Sequence, residues 1–281
     1  MNPQPIKGKL PLLIALLILA LSSMWLLGRC SRSNENSIAN NFVRPGEDTL
    51  VVAIELSPTS YSLKGSDAEG FDYEMIRDIA AAHGIPVVFH PFVPLDYALE
   101  GLQDGKFDMV VATVPSSSDM QQKYLLTDDV FIDRQVLVSR RADSLSADSA
   151  YIPPQMKLLG DTVWITASSP FRDRLVNLSQ ELGDTIYILS DPEYSAEHLA
   201  LLTATGEIKQ AVVNEAVARK IASDYPGLDV STPISLSQFQ PWILRSDESA
   251  LRDSLNIWIN RYKETDAYQR LVQKYLNPST R

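Results

Sequence analysis

Three observations predict a two-lobed α/β fold. From residue 50 onward, short β-branched runs alternate with amphipathic stretches, the sequence pattern of βαβ units with parallel strands. A polar stretch at 141–154 separates this series from a second one of the same kind. Extended segments at 134–139 and 228–232 flank the second series, so the chain is expected to cross between the lobes twice and form a hinge there.

In the first series Leu50–Glu55 reads as a strand, 71–83 as a helix, 86–90 as a strand, Leu95–Gln103 as a helix and 107–113 as a strand, punctuated by Gly84, Gly101 and Gly105. In the second, Thr162–Thr166 reads as a strand, a helix starts at Pro170, and 185–189, Ala196–Thr205 and 210–213 read as strand, helix and strand. The tail, 248–263 and 266–276, reads as two amphipathic helices whose Trp258, Tyr262, Tyr268, Leu271 and Tyr275 recur at helical spacing and face a core. The expected organisation is a membrane anchor or signal (1–30), a polar tether (31–47), lobe 1 (48–138), lobe 2 (139–228), and a return to lobe 1 with C-terminal helices (229–281).

The composition, 45% hydrophobic and 21% charged over 281 residues, supplies a substantial core. No repeat with a period of about 20–50 residues is present, which argues against solenoids and propellers. A net charge of -10 with no basic stripe argues against a nucleic-acid partner.

After Lys7 and Lys9, residues 10–27 form an apolar run on the order of eighteen residues, near the minimum for crossing a bilayer, followed by a polar run at 31–41. Two readings stand: an uncleaved signal anchor, or a lipoprotein signal in which Cys30 is acylated. Leu27 and Gly28 suit a lipoprotein cleavage box, whereas Arg29 does not. Either way the rest of the chain is expected outside the cytoplasm and held to a membrane through its N-terminus, and a single cysteine excludes internal disulfides.

Three spaced motifs carry a resemblance. Gly70-Phe71-Asp72-Tyr73-Glu74 opens the first helix, Leu102, Gly105 and Asp108 follow an L-x-x-G-x-x-D spacing, and residues 206–215 match a second-lobe G-x-I-x-x-A-V-V-x-D segment. In order and interval they resemble the family 3 extracellular solute-binding proteins, the amino-acid-binding clamps of ABC importers, over residues 50–276. The stretch from Gln240-Pro241-Trp242 to Tyr275-Leu276 is similar to the binding module of the F-type membrane-bound lytic transglycosylases, without their lysozyme-like catalytic domain. The resemblance implies a periplasmic-binding-protein-like (type II) fold on the periplasmic face of a bacterial membrane. It also implies a small polar ligand, no cofactor, no catalysis, and an ABC permease or a cell-wall enzyme as partner.

The resemblance further implies which residues hold the ligand. Glu55 supplies a carboxylate for a ligand ammonium, Tyr61 a packing ring, and Glu215 a second carboxylate for the amine. Glu215 also follows a strand, and the C-terminal ends of strands are where α/β sheets bind ligands. The plainer readings are a loop residue for Glu55 and a first-turn acid favoured by the helix dipole for Glu215. Thr113, Ser117, Ser118, Ser168 and Ser169 are polar candidates for the lining, the last two as a helix cap before Pro170. Met120 falls where the family carries the arginine that grips an α-carboxylate, Pro115 falls at a donor position, and Lys123 is a weak substitute. With two acids kept and the arginine absent, the expected ligand bears an amine or many hydroxyl and amide groups, as a peptidoglycan fragment does, rather than being a free amino acid.

Two alternatives remain open. One is a dehydratase-like enzyme on the same clamp, with Glu55 or Glu215 as general acid or base; the other is a regulatory partner of a murein hydrolase. His83, His90 and His198 are scattered, so no metal site is expected, and neither a Ser-His-Asp order nor a P-loop is present.

Overall fold

A computed structural model of the chain describes residues 49–141, 154–167, 169 and 171–277, all within one compact unit. The predicted anchor, tether and Cys30 lie outside the described residues, as does most of the 141–154 linker. No helix among the described residues is long and apolar enough to cross a membrane.

Two separate five-stranded sheets form the architecture. The first holds β1 (Leu50–Glu55), β4 (Val87–Phe92), β5 (Met109–Val111), β6 (Leu125–Leu126) and β14 (Ile243–Leu244), in the order β4-β1-β5-β14-β6, while β2 (Ser62–Lys64) and β3 (Asp67–Glu69) form a separate antiparallel hairpin. Strand β1 is parallel to both its neighbours, with Val52 in register with Phe89 on one side and Met109 on the other. A strand covered on both faces reads as a continuous apolar run, and Val51, Val52, Ala53 and Ile54 are all buried. The late strand β14 runs antiparallel to β5 and β6, which returns the chain to this sheet after the second has been built.

The second sheet has the order β10-β9-β11-β8-β12, from β8 (Gln135–Arg140), β9 (Thr162–Thr166), β10 (Tyr187–Asp191), β11 (Gln210–Asn214) and β12 (Leu228–Pro233). Its strands alternate between two apolar clusters. Val136, Val138, Ala211 and Val213 face one side with Leu199 and Ile221, while Leu137 and Val212 face the other with Leu158, Ile165 and Leu175.

The segments expected to be bare crossings, 134–139 and 228–232, are instead β8 and β12, paired antiparallel with each other inside the second sheet. The change of sheet therefore falls at Arg134 and just after Pro233, outside the expected boundaries at 138/139 and 228/229. There β7 (Phe131–Asp133) pairs antiparallel with β13 (Gln238–Gln240), so the two crossings run as one ribbon. Ser235 Oγ accepts the Gln135 N–H at 3.0 Å and the Ile234 N–H donates to the Gln135 carbonyl at 2.8 Å, linking the crossings to each other.

Helix α1 (Phe71–Ala82) packs Phe71, Met75, Ile76 and Ile79 under the first sheet, joined by Leu255 and Ile259 of the long helix Ser249–Lys263. The expected last helix divides into an α-helical turn, Asp266–Leu271, and a wider π-helical one, Val272–Leu276. The wider turn carries Tyr275 into the core, where its hydroxyl accepts the Gly70 N–H at 3.1 Å. As expected, the aromatics of the tail join the first core: Tyr262 bonds Asp78, Tyr268 bonds the Val130 carbonyl, and Trp258 stacks on His83.

Gly70 has φ +150°, and a Cβ there would collide with the Ser60 backbone. Gly70→Ala is expected to destabilise the protein by about 3 kcal/mol, measured by urea unfolding, because the atoms it meets are main chain and cannot rotate away.

Candidate functional site

The groove between the two sheets is lined from both sides. The first lobe contributes Glu55 from the end of β1, Phe92 from the end of β4, Leu95, and the loop residues Ala112, Thr113 and Val114 after β5. The second contributes Thr166 from the end of β9, Phe171, Tyr194, Ser195 and Asn214, the last residue of β11. Four strands, parallel within each sheet, thus deliver residues from their C-terminal ends, where α/β sheets form binding crevices. The space they enclose is about 50 Å³, room for only a few waters. A cavity of about 590 Å³ adjoins it beyond Phe171, lined by Pro115, Gln135, Arg174 and Gln238 among others.

Glu55 is the carboxylate of this groove. The Thr113 N–H donates to its Oε2 at 2.9 Å, and burial pushes its carboxyl above the ordinary value despite that bond. Behind it, Asp72 on α1 accepts the Trp242 indole N–H at 3.0 Å. Burial pushes Asp72 up to about 6 against that bond, with repulsion from Glu55 adding to the rise. Asn214 is almost fully buried at the start of the helix Glu215–Asp224, its side chain caps nothing, and its Nδ2 has no hydrogen-bond partner.

The expected convergence of Glu55, Tyr61 and Glu215 does not occur. Thr113 lines the groove with Glu55. Tyr61 packs edge-on against Tyr73, ring centroids 5.4 Å apart, in the first core. Glu215 faces a different cavity of about 290 Å³ at the base of the crossings, with Asp133, Arg219, Lys263 and Tyr268.

Glu215 is also fully engaged. Arg134 binds it bidentately, Nε to Oε2 at 2.7 Å and Nη2 to Oε1 at 3.0 Å, and Arg219 donates to Oε1 at 2.6 Å. Burial alone would raise the Glu215 carboxyl, yet the two guanidinium groups hold it below its ordinary value. Successive side chains at a strand end face opposite ways, so turning Glu215 toward Arg134 leaves its neighbour Asn214 in the groove. That alternation was the available signal for Asn214, which residue-type reasoning passed over.

The loop candidates also fall elsewhere. Ser117 caps the short helix Ser118–Lys123, accepting the Met120 N–H at 3.3 Å, and Ser117 and Ser118 are exposed. Neither serine nor Met120 lines the groove, and Lys123 lines a separate cavity with Tyr124 and Arg245. Ser169 Oγ accepts the Phe171 N–H at 3.3 Å as a local cap; Ser168 and Cys30 lie outside the described residues.

Asp133, at the end of β7, was not anticipated. It is 6% exposed, its Oδ1 accepts the Arg134 N–H at 2.8 Å, and its Oδ2 has no partner; Asn214 Nδ2 lies nearby without meeting hydrogen-bond geometry. Burial first, then repulsion from Glu215, pushes its carboxyl up to about 7.

The profile of the bacterial extracellular solute-binding proteins, family 3, matches residues 49–278. The chain belongs to this family. It is similar to the membrane-bound lytic murein transglycosylases F of Desulfosudis oleivorans (23% identity, 80% of this chain and 48% of that one) and of Aeromonas hydrophila (23%, 78% and 42%). It thus spans about half the length of the curated relatives it matches. Among solved structures, an ancestral arginine-binding protein bound to arginine superposes with a TM-score of 0.67 at 20% identity, covering 82% of this chain and 98% of that one. The GluR0 ligand-binding core of Nostoc punctiforme with L-glutamate gives 0.64 at 21%, covering 82% and 100%. These likenesses show the two-lobed type II periplasmic-binding fold, and the family membership makes this a ligand-binding chain.

Two predictions follow from the charges. Glu215→Ala leaves Arg134 and Arg219 facing each other and is expected to lower stability by about 2 kcal/mol in chemical denaturation. Asp72→Asn keeps an acceptor for Trp242 and removes a carboxyl that the fold prefers protonated. Because the folded pKa lies above the unfolded one, the parent's Asp72 contribution is fully present below about pH 4 and is lost as pH rises through about 6. The variant is therefore expected to gain on the parent by about 2 kcal/mol between pH 4 and pH 8, read from melting curves at both pH values.

Proposed function

We propose that the protein is an extracytoplasmic binding protein that closes its lobes on a small polar ligand, amino-acid-like or peptidoglycan-fragment-like, and catalyses no reaction. The observation that carries this reading is the groove itself: Glu55 and Thr113 from one sheet face Asn214 and Thr166 from the other in a space too small to load without opening. Lobe 1 is taken as residues 49–134 and 234–277, and lobe 2 as 135–233, with the β7–β13 ribbon as hinge. Ligand shifts an open-closed equilibrium by its greater affinity for the closed form, and the motion is the output.

Within the groove Glu55 is the anionic contact, Thr113 fixes its orientation, and Asn214 supplies the donor. Glu215 acts as a strut that ties Arg134 at the crossing to lobe 2. Residues 1–30 hold the protein to the periplasmic face of a bacterial membrane, as an uncleaved anchor or through acylated Cys30.

Two outputs fit the family: delivery to an ABC permease, and reporting of wall fragments to a cell-wall enzyme. The transglycosylase names of the relatives favour the second for this chain, as a regulatory partner of a murein hydrolase. A dehydratase-like enzyme on the same clamp is the reading that the raised Glu55 carboxyl favours, and turnover of a bound ligand would reveal it.

Mass spectrometry of small molecules that co-purify with the native protein identifies candidate ligands. Adding one back is expected to compact the protein in X-ray scattering, with the ligand recovered unchanged. A ligand that binds without any compaction would sink the clamp mechanism.

A further inference from the structure

We propose, resting on the binding reading above, that the groove selects a small organic ammonium that carries no free carboxylate: a primary amine with an apolar body and one hydrogen-bond acceptor close to the charge.

Among the described residues that line the groove there is no lysine and no arginine, and Glu55 is the only carboxylate. A bound carboxylate would have to rely on neutral donors instead, and those of the loop after β5 are already used. The Thr113 N–H donates to Glu55, the Val114 N–H to the Ala112 carbonyl at 2.9 Å, and the Ser116 N–H to the Phe239 carbonyl at 3.3 Å; Pro115 has none.

On the opposite wall two main-chain donors are spent in the same way, and the Thr166 and Tyr194 hydroxyls are neutral donors that offset no charge. The Phe171 N–H donates to Ser169 Oγ and the Arg172 N–H to the Ser169 carbonyl, both at 3.3 Å. Arg174, in the adjoining cavity, donates to the Ile234 carbonyl at 3.0 Å and to Glu181 at 2.8 Å. A carboxylate brought here would meet Glu55 with no cation to offset the repulsion or its own desolvation.

What remains unmet has the opposite character. Glu55 is a half-buried carboxylate that a ligand ammonium would pair. Asn214 on the groove wall has a buried Nδ2 that makes no hydrogen bond even to the nearby Asp133 carboxyl, and one neutral acceptor on the ligand would complete it. Phe92, Leu95, Phe171 and Tyr194 supply an apolar enclosure for the remaining atoms.

The test titrates the full chain calorimetrically with three molecules that share one carbon skeleton: L-leucinamide, L-leucine and 4-methylpentanoate. Leucinamide is expected to bind about thirtyfold or more tighter than leucine, and 4-methylpentanoate not at all. Leucine binding as tightly as its amide overturns the proposal while leaving a binding protein in place. Absence of binding by both leucinamide and 3-methylbutylamine also overturns it. In that case compaction with a co-purified ligand tells whether the broader reading survives.

Glu55→Gln is expected to weaken leucinamide about tenfold or more with an unchanged melting curve, and unchanged affinity counts against the proposal. Should that variant fail to fold, Asn214→Ala serves in its place, since the Asn214 side chain caps no helix. It is expected to weaken leucinamide, which has a carbonyl acceptor, more than 3-methylbutylamine, which has none. Equal effects on the two overturn the assigned donor role.

Discussion

A chain that leaves one sheet, builds a second, and comes back must cross the gap twice, and at each crossing its peptide groups lose the ladder that would otherwise pair them. Unpaired buried peptide groups are costly, so the two crossings here solve the problem jointly. Strands β7 and β13 pair with each other, and Gln135 bonds both Ser235 and Ile234 across the ribbon. One narrow ribbon carries the chain between two separately cored sheets. The Arg134–Glu215 pair sets this ribbon against the first turn of a second-lobe helix. A bidentate guanidinium–carboxylate contact fixes direction as well as distance.

The same geometry sorts the acids of the molecule into two kinds. Glu215 and Glu74 sit beside cations that hold them ionised, and they serve as struts. Asp72 and Asp133 are buried and Glu55 is half-buried, and desolvation pushes each carboxyl upward. Of these three, only Glu55 lines the groove. Asp72 lies behind Glu55, and Asp133 ends β7 in the ribbon between the sheets.

The long elements were legible in the sequence because period and burial agree in them. Leu50–Glu55 is apolar on both faces, and α1 repeats Phe71, Met75, Ile76 and Ile79 at helical spacing. The short elements were not legible. Strands β6, β7, β13 and β14 are two or three residues long and exist because a distant partner pairs with them, as Ile243 does with Val110 and Leu126. Segments 134–139 and 228–232 read as extended, and extended they are, but local pattern does not say which sheet an extended segment joins. The π-helical turn at Val272–Leu276 was equally hidden, since the same spacing serves an α-helix.

By itself the sequence determined the fold class and the order of the long elements, because these follow from composition and periodicity along the chain, and the family resemblance marked Glu55 and Glu215 as candidate acids. Which acid faces the groove was decided only by the tertiary structure. Glu55 found a backbone N–H from a neighbouring strand's loop and stayed in the groove, while Glu215 found Arg134 and turned away, leaving Asn214 in its place. The partner of a buried charge is chosen by proximity in space, and Arg134 lies 81 positions from Glu215 along the chain.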